Sequence, residues 1–339
     1  MVADRMTSGI DALLLVSFGG PEAPEEVVPF LQRVTAGRNI PEERLRLVGQ
    51  HYFDRGGISP INGLCRDLLA SIQLAFDEAG IDLAVYWGNR NSAPFLDDTV
   101  ARMAADGVQH ALAFVTSAYS SYSGCRQYRE NIEAAQNGVD DAPVIDKLRV
   151  FFNHPGFIEP LVDGLADALR AGNAARTQVF FSAHSIPQSL ADSSRYVEQL
   201  TSACELITAD IECDWSLVWQ SRSGPPTVPW LEPDIVDAIK GLDPGLTERV
   251  VVVPVGFVSD HMEVLQDLDT DAAAAAGEIG VAFERVTTSG TDSRFVQMIV
   301  DLVNEKLEGT TPVALGPLGL VPDQCGLDCC PAPVRRRPR

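Results

Sequence analysis

VVVVPVGFVSDHMEVLQDLDTDAAAAA, residues 250–276, is the stretch whose reading decides the fold. Val250 to Val253 form an unbroken β-branched run that ends at Pro254. A wholly apolar run of this kind predicts a strand buried on both faces, as inside a parallel sheet. A turn around Gly256 and a helical pattern studded with acids follow. Asp260, with Glu263 three residues later, resembles a capping box and sets the expected helix start. Glu263, Asp267 and Asp271 then recur at four-residue steps, which puts three carboxylates in one row on one helix face. Like charges so placed repel by roughly a few tenths of a kcal/mol per pair. A row of acids beginning where a strand meets a helix therefore points to a cation. The plainer alternatives are Glu263 as a cap only, and Asp267 and Asp271 as a solvated face.

The same alternation extends outward in both directions. Strands are expected at LLLVSF (Leu13 to Phe18), LAVYWG (Leu83 to Gly88) and ALAFVTS (Ala111 to Ser117). In the second half they are expected at TQVFFS (Thr177 to Ser182), SLVWQS (Ser216 to Ser221), VVVVPV (Val250 to Val255) and VAFERV (Val281 to Val286). Helical patterns fall between them, from Leu96 to Ala105 and from Cys125 to Ala135, for example, and a last one runs from Ser293 to Leu307. Strands alternating with helices imply βαβ units and an α/β fold with a doubly wound parallel sheet in each half. The expected division is 11–147, 148–308 and a C-terminal extension over 309–339, with no repeat sharp enough to announce a duplication. In such sheets ligands sit at the carboxyl ends of the strands.

Composition narrows the class. The chain has 339 residues, 45% of them hydrophobic, and a net charge of −21. That charge argues against nucleic acid and against an anionic membrane surface. No apolar run reaches the length of a membrane span, and the polar start MVADRMTSGI lacks a secretory segment, so a cytoplasmic enzyme is expected. Of the seven cysteines, Cys65, Cys204 and Cys213 read as packing residues. Cys325, Cys329 and Cys330 crowd a Pro- and Gly-rich tail with little capacity for a core, which suggests metal or cluster ligation. The final PVRRRPR reads as a disordered basic tail.

No strand end carries a phosphate loop, so nucleotide cofactors are not indicated. His184 follows an apolar strand, and a histidine there is either a local hydrogen-bonding residue or, near neutral pH, a base or metal ligand. Glu263 stands at another strand end of the same half. His261 is a second candidate ligand, or structural; His51, His110 and His154 carry no constellation. Tyr119, Tyr122 and Tyr128, with Trp215, Trp219 and Trp230, suit a core and would also serve a flat aromatic ligand.

LLLVSFGGPE, GGISPINGL, SAHSIP, WQSRSGPPTVPWLEP and VGFVSDHMEV, in this order and spacing, resemble the ferrochelatases, which insert ferrous iron into a porphyrin. The resemblance runs from about Asp11 to Leu307 and implies two Rossmann-like domains, chelatase-like, with a porphyrin cleft between them. It places the catalytic pair, which also meets the Fe2+ substrate, on His184 and Glu263, and a proton or metal path on Asp267 and Asp271. Porphyrin contacts fall on Ser59 and Tyr128. The stretch NIPEERLRLVGQHYFDRGG is polar and charged, unlike a membrane-facing lip, and this favours coproporphyrin III over protoporphyrin IX. Arg38, Arg44 and Arg46 are candidates for its propionates, although Arg44 and Arg46 equally suit a solvated helix face. Phe18 stands where some coproporphyrin ferrochelatases carry an iron-ligating tyrosine, so no oxygen ligand comes from that side chain.

The resemblance further implies a [2Fe–2S] cluster held by an internal cysteine, Cys125, with Cys325, Cys329 and Cys330, the alternatives being loose thiols or a zinc site. It also implies passing contact with neighbouring haem-pathway enzymes. A cobaltochelatase tends to use two histidines at the metal, where only His184 plus Glu263 stand here. A non-catalytic haem-binding module would more often have lost one of that pair.

Overall fold

The computed structural model describes residues 9–37, 42–323, 325, 326 and 328–333, and only the backbone of Arg44. Eight strands form two parallel four-stranded sheets. The first contains β1 (Ala12–Ser17), β2 (Ala84–Asn89), β3 (His110–Val115) and β4 (Val144–Lys147), ordered β2-β1-β3-β4. The second contains β5 (Thr177–His184), β6 (Trp215–Gln220), β7 (Arg249–Val253) and β8 (Ala282–Arg285), ordered β6-β5-β7-β8. The two orders are the same permutation. The duplication invisible in the residues is therefore present in the topology.

Two compact units result, and neither is one continuous stretch. One holds the described residues up to Thr116 with Tyr128–Arg149 and Val296–Pro312; the other holds Ser117–Gln127, Val150–Phe295 and the described residues from Val313 on. In the first unit Leu13, Leu14, Leu15 and Val16 are all fully buried. Leu14 and Val16 pack with Val100, Met103 and Ile132 on one face of the sheet.

In the second unit Val250 to Val253 are likewise fully buried, as an apolar central strand requires. Val250 and Val252 pack against Val264, Leu268, Ala272 and Ala276, so the apolar side of the acid-rich helix lies on the sheet. The small alanines let it approach closely, and the carboxylates are left to the other side.

The structure corrects four sequence expectations. Val144–Lys147 (VIDK) is a strand that the pattern did not announce: a short edge strand with Val144 facing solvent has no apolar run to reveal it. The acid-rich helix is wound as a π-helix over Leu265–Ala272, with Ala273 N–H donating five residues back to the Leu268 carbonyl. The expected helix from Cys125 begins earlier as a second π-turn, Tyr122–Arg126, before an α-helix over Gln127–Asn137. The expected capping box does not form. The N-cap is His261, whose Nδ1 accepts from the Glu263 N–H at 3.2 Å, while Asp260 is drawn away by Arg285, Nη1 to Oδ1 3.0 Å.

Candidate functional site

The carboxyl ends of β5, β6 and β7 converge because these strands are neighbours. His184 is the last residue of β5, beside Gln220 at the end of β6. Its Nδ1 lies 2.5 Å from the Ser185 carbonyl, which can only accept, so Nδ1 is the donor and the neutral ring presents its lone pair at Nε2. Nε2 is 3.8 Å from Glu263 Oε2, and the two side chains are 33% and 47% exposed, so the pair is open to an incoming ligand. The peptide behind His184 is fixed: Tyr196, buried beside Trp219, donates its hydroxyl to the His184 carbonyl at 3.0 Å.

Glu263 reaches this position through a tight loop. Gly256 donates its N–H to the Ser182 carbonyl at 3.0 Å, and a Cβ there would meet the Ala183 Cα at 2.6 Å. Only glycine lets the loop after β7 close on the end of β5. His261 then caps the helix as a neutral ring, because burial, first of all, holds its pKa below the usual histidine value. Its ring meets Phe257 edge to face at 5.1 Å.

The three acids of the row differ in setting. Glu263 is open and Asp271 is exposed, bonded to Gln266 at 3.0 Å. Asp267 is tucked inward, accepting from the Ser221 hydroxyl and from Gln220 Nε2 at 3.4 Å. Burial pushes the Asp267 carboxyl up to about 7; the Ser221 bond opposes this and the charge of Glu263 adds to it. Ser221 adopts φ 60°, a left-handed backbone that a serine seldom takes without a local reason. Sequence reasoning named neither Gln220 nor Ser221 individually, although both lie inside the motif WQSRS.

The other expected porphyrin contacts lie in the first unit, against residues that follow its strands, Gly20 and Arg90. Ser59 is buried against Gly20, its N–H bonded to the Pro21 carbonyl at 2.8 Å. Tyr128 is buried under the Arg90 guanidinium, which sits 4.5 Å above its ring and 5.6 Å from that of Phe18. Arg46 is exposed and paired with Glu42 at 3.0 Å one turn away, a solvated helix face. Arg38, the Arg44 side chain and the basic tail from Val334 lie outside the described residues. The surrounding stretch is less polar than its composition suggests, since Leu47, Val48, Phe53 and Ile58 are exposed.

Cys125, Cys325, Cys329 and Cys330 fall in one compact unit. Cys329 Sγ and Cys330 Sγ are 3.6 Å apart. Successive side chains of an extended strand point to opposite faces; Cys330 instead takes φ 50°. Arg126, next to Cys125, donates to the Cys329 carbonyl at 3.2 Å. The Cys330 thiol is pushed well up, first by burial and then by the adjacent Cys329, with smaller contributions from Cys125 and Cys325. Among the described residues, however, no three His, Cys, Asp or Glu side chains are already arranged as a metal-ion site. No described helix is long and apolar enough to cross a membrane.

The ferrochelatase family model matches residues 10–307. The chain is 50% identical to the ferrochelatase of Rhodopirellula baltica, covering 97% of this chain and 95% of that one. It is 49% identical to the coproporphyrin III ferrochelatase of Streptomyces coelicolor, covering 98% and 95% of the two chains. Against that of Nocardia farcinica it is 50% identical, covering 96% and 98%. Among solved structures, SirB from Bacillus subtilis with Fe3+ aligns with a TM-score of 0.54 at 11% identity, over 88% of this chain and 98% of that one, a likeness of fold.

Proposed function

The chain belongs to the ferrochelatase family, and on that premise we propose that it inserts ferrous iron into coproporphyrin III, giving Fe-coproporphyrin III in haem biosynthesis. The observation that carries the reading is the His184–Glu263 pair, Nε2 to Oε2 3.8 Å, at the carboxyl end of a parallel sheet. Insertion exchanges two pyrrole N–H protons for one Fe2+, which must also shed water. In the neutral ring His184 Nε2, directed outward by the Nδ1–H bond, accepts one pyrrole proton, and Glu263 beside it accepts the second. Asp267, half ionised near neutral pH, is suited to receive protons from that pair and pass them outward past Asp271. Ser59 and Tyr128 are assigned to porphyrin contact. Bending of the ring, if imposed, would draw on binding energy elsewhere on the macrocycle.

The Asp267 assignment gives a pH test. Iron insertion is expected to rise with pH through about 7 as this carboxyl ionises, and Asp267→Asn to remove that limb from the kcat profile. The stability linkage runs the other way. The folded pKa lies above the unfolded one, so this group's contribution is fully present below about pH 4 and is lost as pH rises to about 7. Between pH 5 and 8 the wild type should lose about 2 kcal/mol relative to Asp267→Asn in denaturant melts. Identical pH dependence in the two proteins would reject the shift.

Coproporphyrin III rests on the two actinobacterial relatives so named. The exposed Leu47, Val48, Phe53 and Ile58 favour the second reading, protoporphyrin IX, whose edge is more apolar. The test is an iron-insertion assay on both porphyrins in parallel. A kcat/KM at least tenfold higher for coproporphyrin III is expected; the reverse order selects protoporphyrin IX.

We further infer a resident [2Fe–2S] cluster on Cys125, Cys325, Cys329 and Cys330. The chemistry of the donor set supports it: four cysteines in one unit, two of them with Sγ atoms 3.6 Å apart at the left-handed Cys330. When bound, such a cluster supplies a covalent cross-link between the tail and the turn that carries Cys125. Gentle, transient handover to neighbouring haem-pathway enzymes, and residence in the cytoplasm, complete the reading.

A further inference from the structure

Five carboxylates crowd twelve residues at the head of the π-helix: Asp260, Glu263, Asp267, Asp269 and Asp271. Two of them are held by one cation from another strand. Arg285, the last residue of β8 with a side chain only 12% exposed, donates from Nη1 and Nη2 to Asp260 at 3.0 and 3.3 Å. From Nε and Nη2 it donates to Asp269 at 2.6 and 3.1 Å, and Nη1 also reaches the Val286 carbonyl at 3.2 Å. All five guanidinium hydrogens are thereby placed, which a lysine ammonium cannot reproduce. Asp260 immediately precedes the His261 cap, and Asp269 stands two residues beyond Asp267 in the π-helix. Arg285 thus grips the segment ahead of Glu263 and again just past Asp267.

We propose that Arg285 is a positioning residue for metal insertion: by clamping Asp260 and Asp269 it fixes the segment that bears Glu263 and Asp267, and withholds two carboxylates from the incoming divalent cation. The proposal rests on the iron-insertion reading above. Its physics has two parts. A segment held ahead of Glu263 and again past Asp267 keeps Glu263 at its distance from His184, and a misplacement of about 1 Å at a reacting group costs about 10²-fold in rate. Without the clamp, Asp260 and Asp269 become free carboxylates beside the row, able to bind Fe2+ off the productive position.

The test compares wild type, Arg285→Lys, Arg285→Gln and Arg285→Gln with Asp269→Asn, all as the full chain, with circular dichroism reporting folding. Ferrous iron and coproporphyrin III are varied separately, and Zn2+ binding without porphyrin is followed by calorimetry. Arg285→Gln is expected to lose about 10²-fold in kcat, to keep the porphyrin KM within twofold, and to gain inhibition by excess iron and an added Zn2+ site. Adding Asp269→Asn should remove the inhibition and the added site without restoring kcat. A merely structural role would not produce that split. A folded Arg285→Gln with kcat within threefold of wild type overturns the proposal, as does a loss of porphyrin affinity in proportion to kcat. Should Arg285→Gln not fold, Arg285→Lys decides: a kcat within twofold of wild type overturns it. A wild type that inserts no iron rejects the function instead, and the Zn2+ isotherms then judge the clamp, which fails if no added site appears.

Discussion

His184→Ala is expected to remove iron insertion while leaving the protein folded. The reason is the division of labour within the ring. Nδ1 is committed to the Ser185 carbonyl at 2.5 Å, so the neutral ring has one tautomer, with its lone pair at Nε2. His261 is no substitute, since it spends its Nδ1 on the Glu263 N–H and is itself the helix cap. A positioned base of this kind is worth about 10²–10⁴-fold, and the loss should fall on kcat. Glu263→Gln keeps the shape and the cap bond, since the cap uses its backbone N–H, but removes the charge that Fe2+ and the departing protons need. It should lose activity on the same scale. The side chains are partly exposed, so neither substitution opens a core cavity, and melts within about 1 kcal/mol of wild type are expected. Steady-state insertion assays on both variants check this, and normal turnover in either one rejects the assignment of the pair.

How much of this could be read from residues alone differs by element, and the reasons are physical. Val250–Val253 announced itself because a strand buried on both faces must be apolar throughout, and it is fully buried. The edge strand Val144–Lys147 obeys no such demand, with Val144 facing solvent and Asp146 bonded to His110 at 2.8 Å. The row Glu263, Asp267, Asp271 was legible as a row. Its winding was not, because four-residue spacing suits an α-helix and the five-residue bonding of a π-helix about equally. Asp260 and His261 each satisfy the local rules for a cap, and the choice between them is made by Arg285, which is distant in sequence. Likewise, nothing local distinguishes Asp267 from Asp271. Asp267 is turned in against Gln220 and Ser221 at the end of β6, where burial raises its carboxyl to near neutral pH despite the Ser221 bond, while Asp271 is left in solvent. Non-local contacts therefore decide which acid titrates usefully.

The tail gives the second large effect. Purified wild type should be brown, and Cys125→Ser should bleach it and free the end of the chain. Two anchors hold the extension, and they differ in kind. Asn153 donates to the Leu315 and Gly319 carbonyls at 3.1 and 2.9 Å and accepts from the Leu315 N–H at 2.8 Å, and Val321 is buried. That anchor needs no metal. Beyond it, Cys329 is tied by the Arg126 donation at 3.2 Å, and its Sγ lies 3.6 Å from that of the buried Cys330. Burial and neighbouring thiols raise the Cys330 pKa, so its thiolate is costly without a cation, and a bound cluster relieves that cost. A cross-link closing so long a loop stabilises by about 5 kcal/mol in the chain-entropy account. Cys125→Ser should therefore lose the visible absorption and the bound iron, melt at lower denaturant, and become cleavable by protease beyond Val321 while the Asn153-anchored segment stays protected. The thiol titre of the wild type, measured under denaturing conditions before and after iron removal, reports the same ligands independently of activity. A colourless, iron-free wild type with freely reacting thiols rejects the cluster. Cleavage between Asn153's two carbonyl partners, rather than beyond Val321, would show instead that the tail is held as one piece and that the thiols secure all of it.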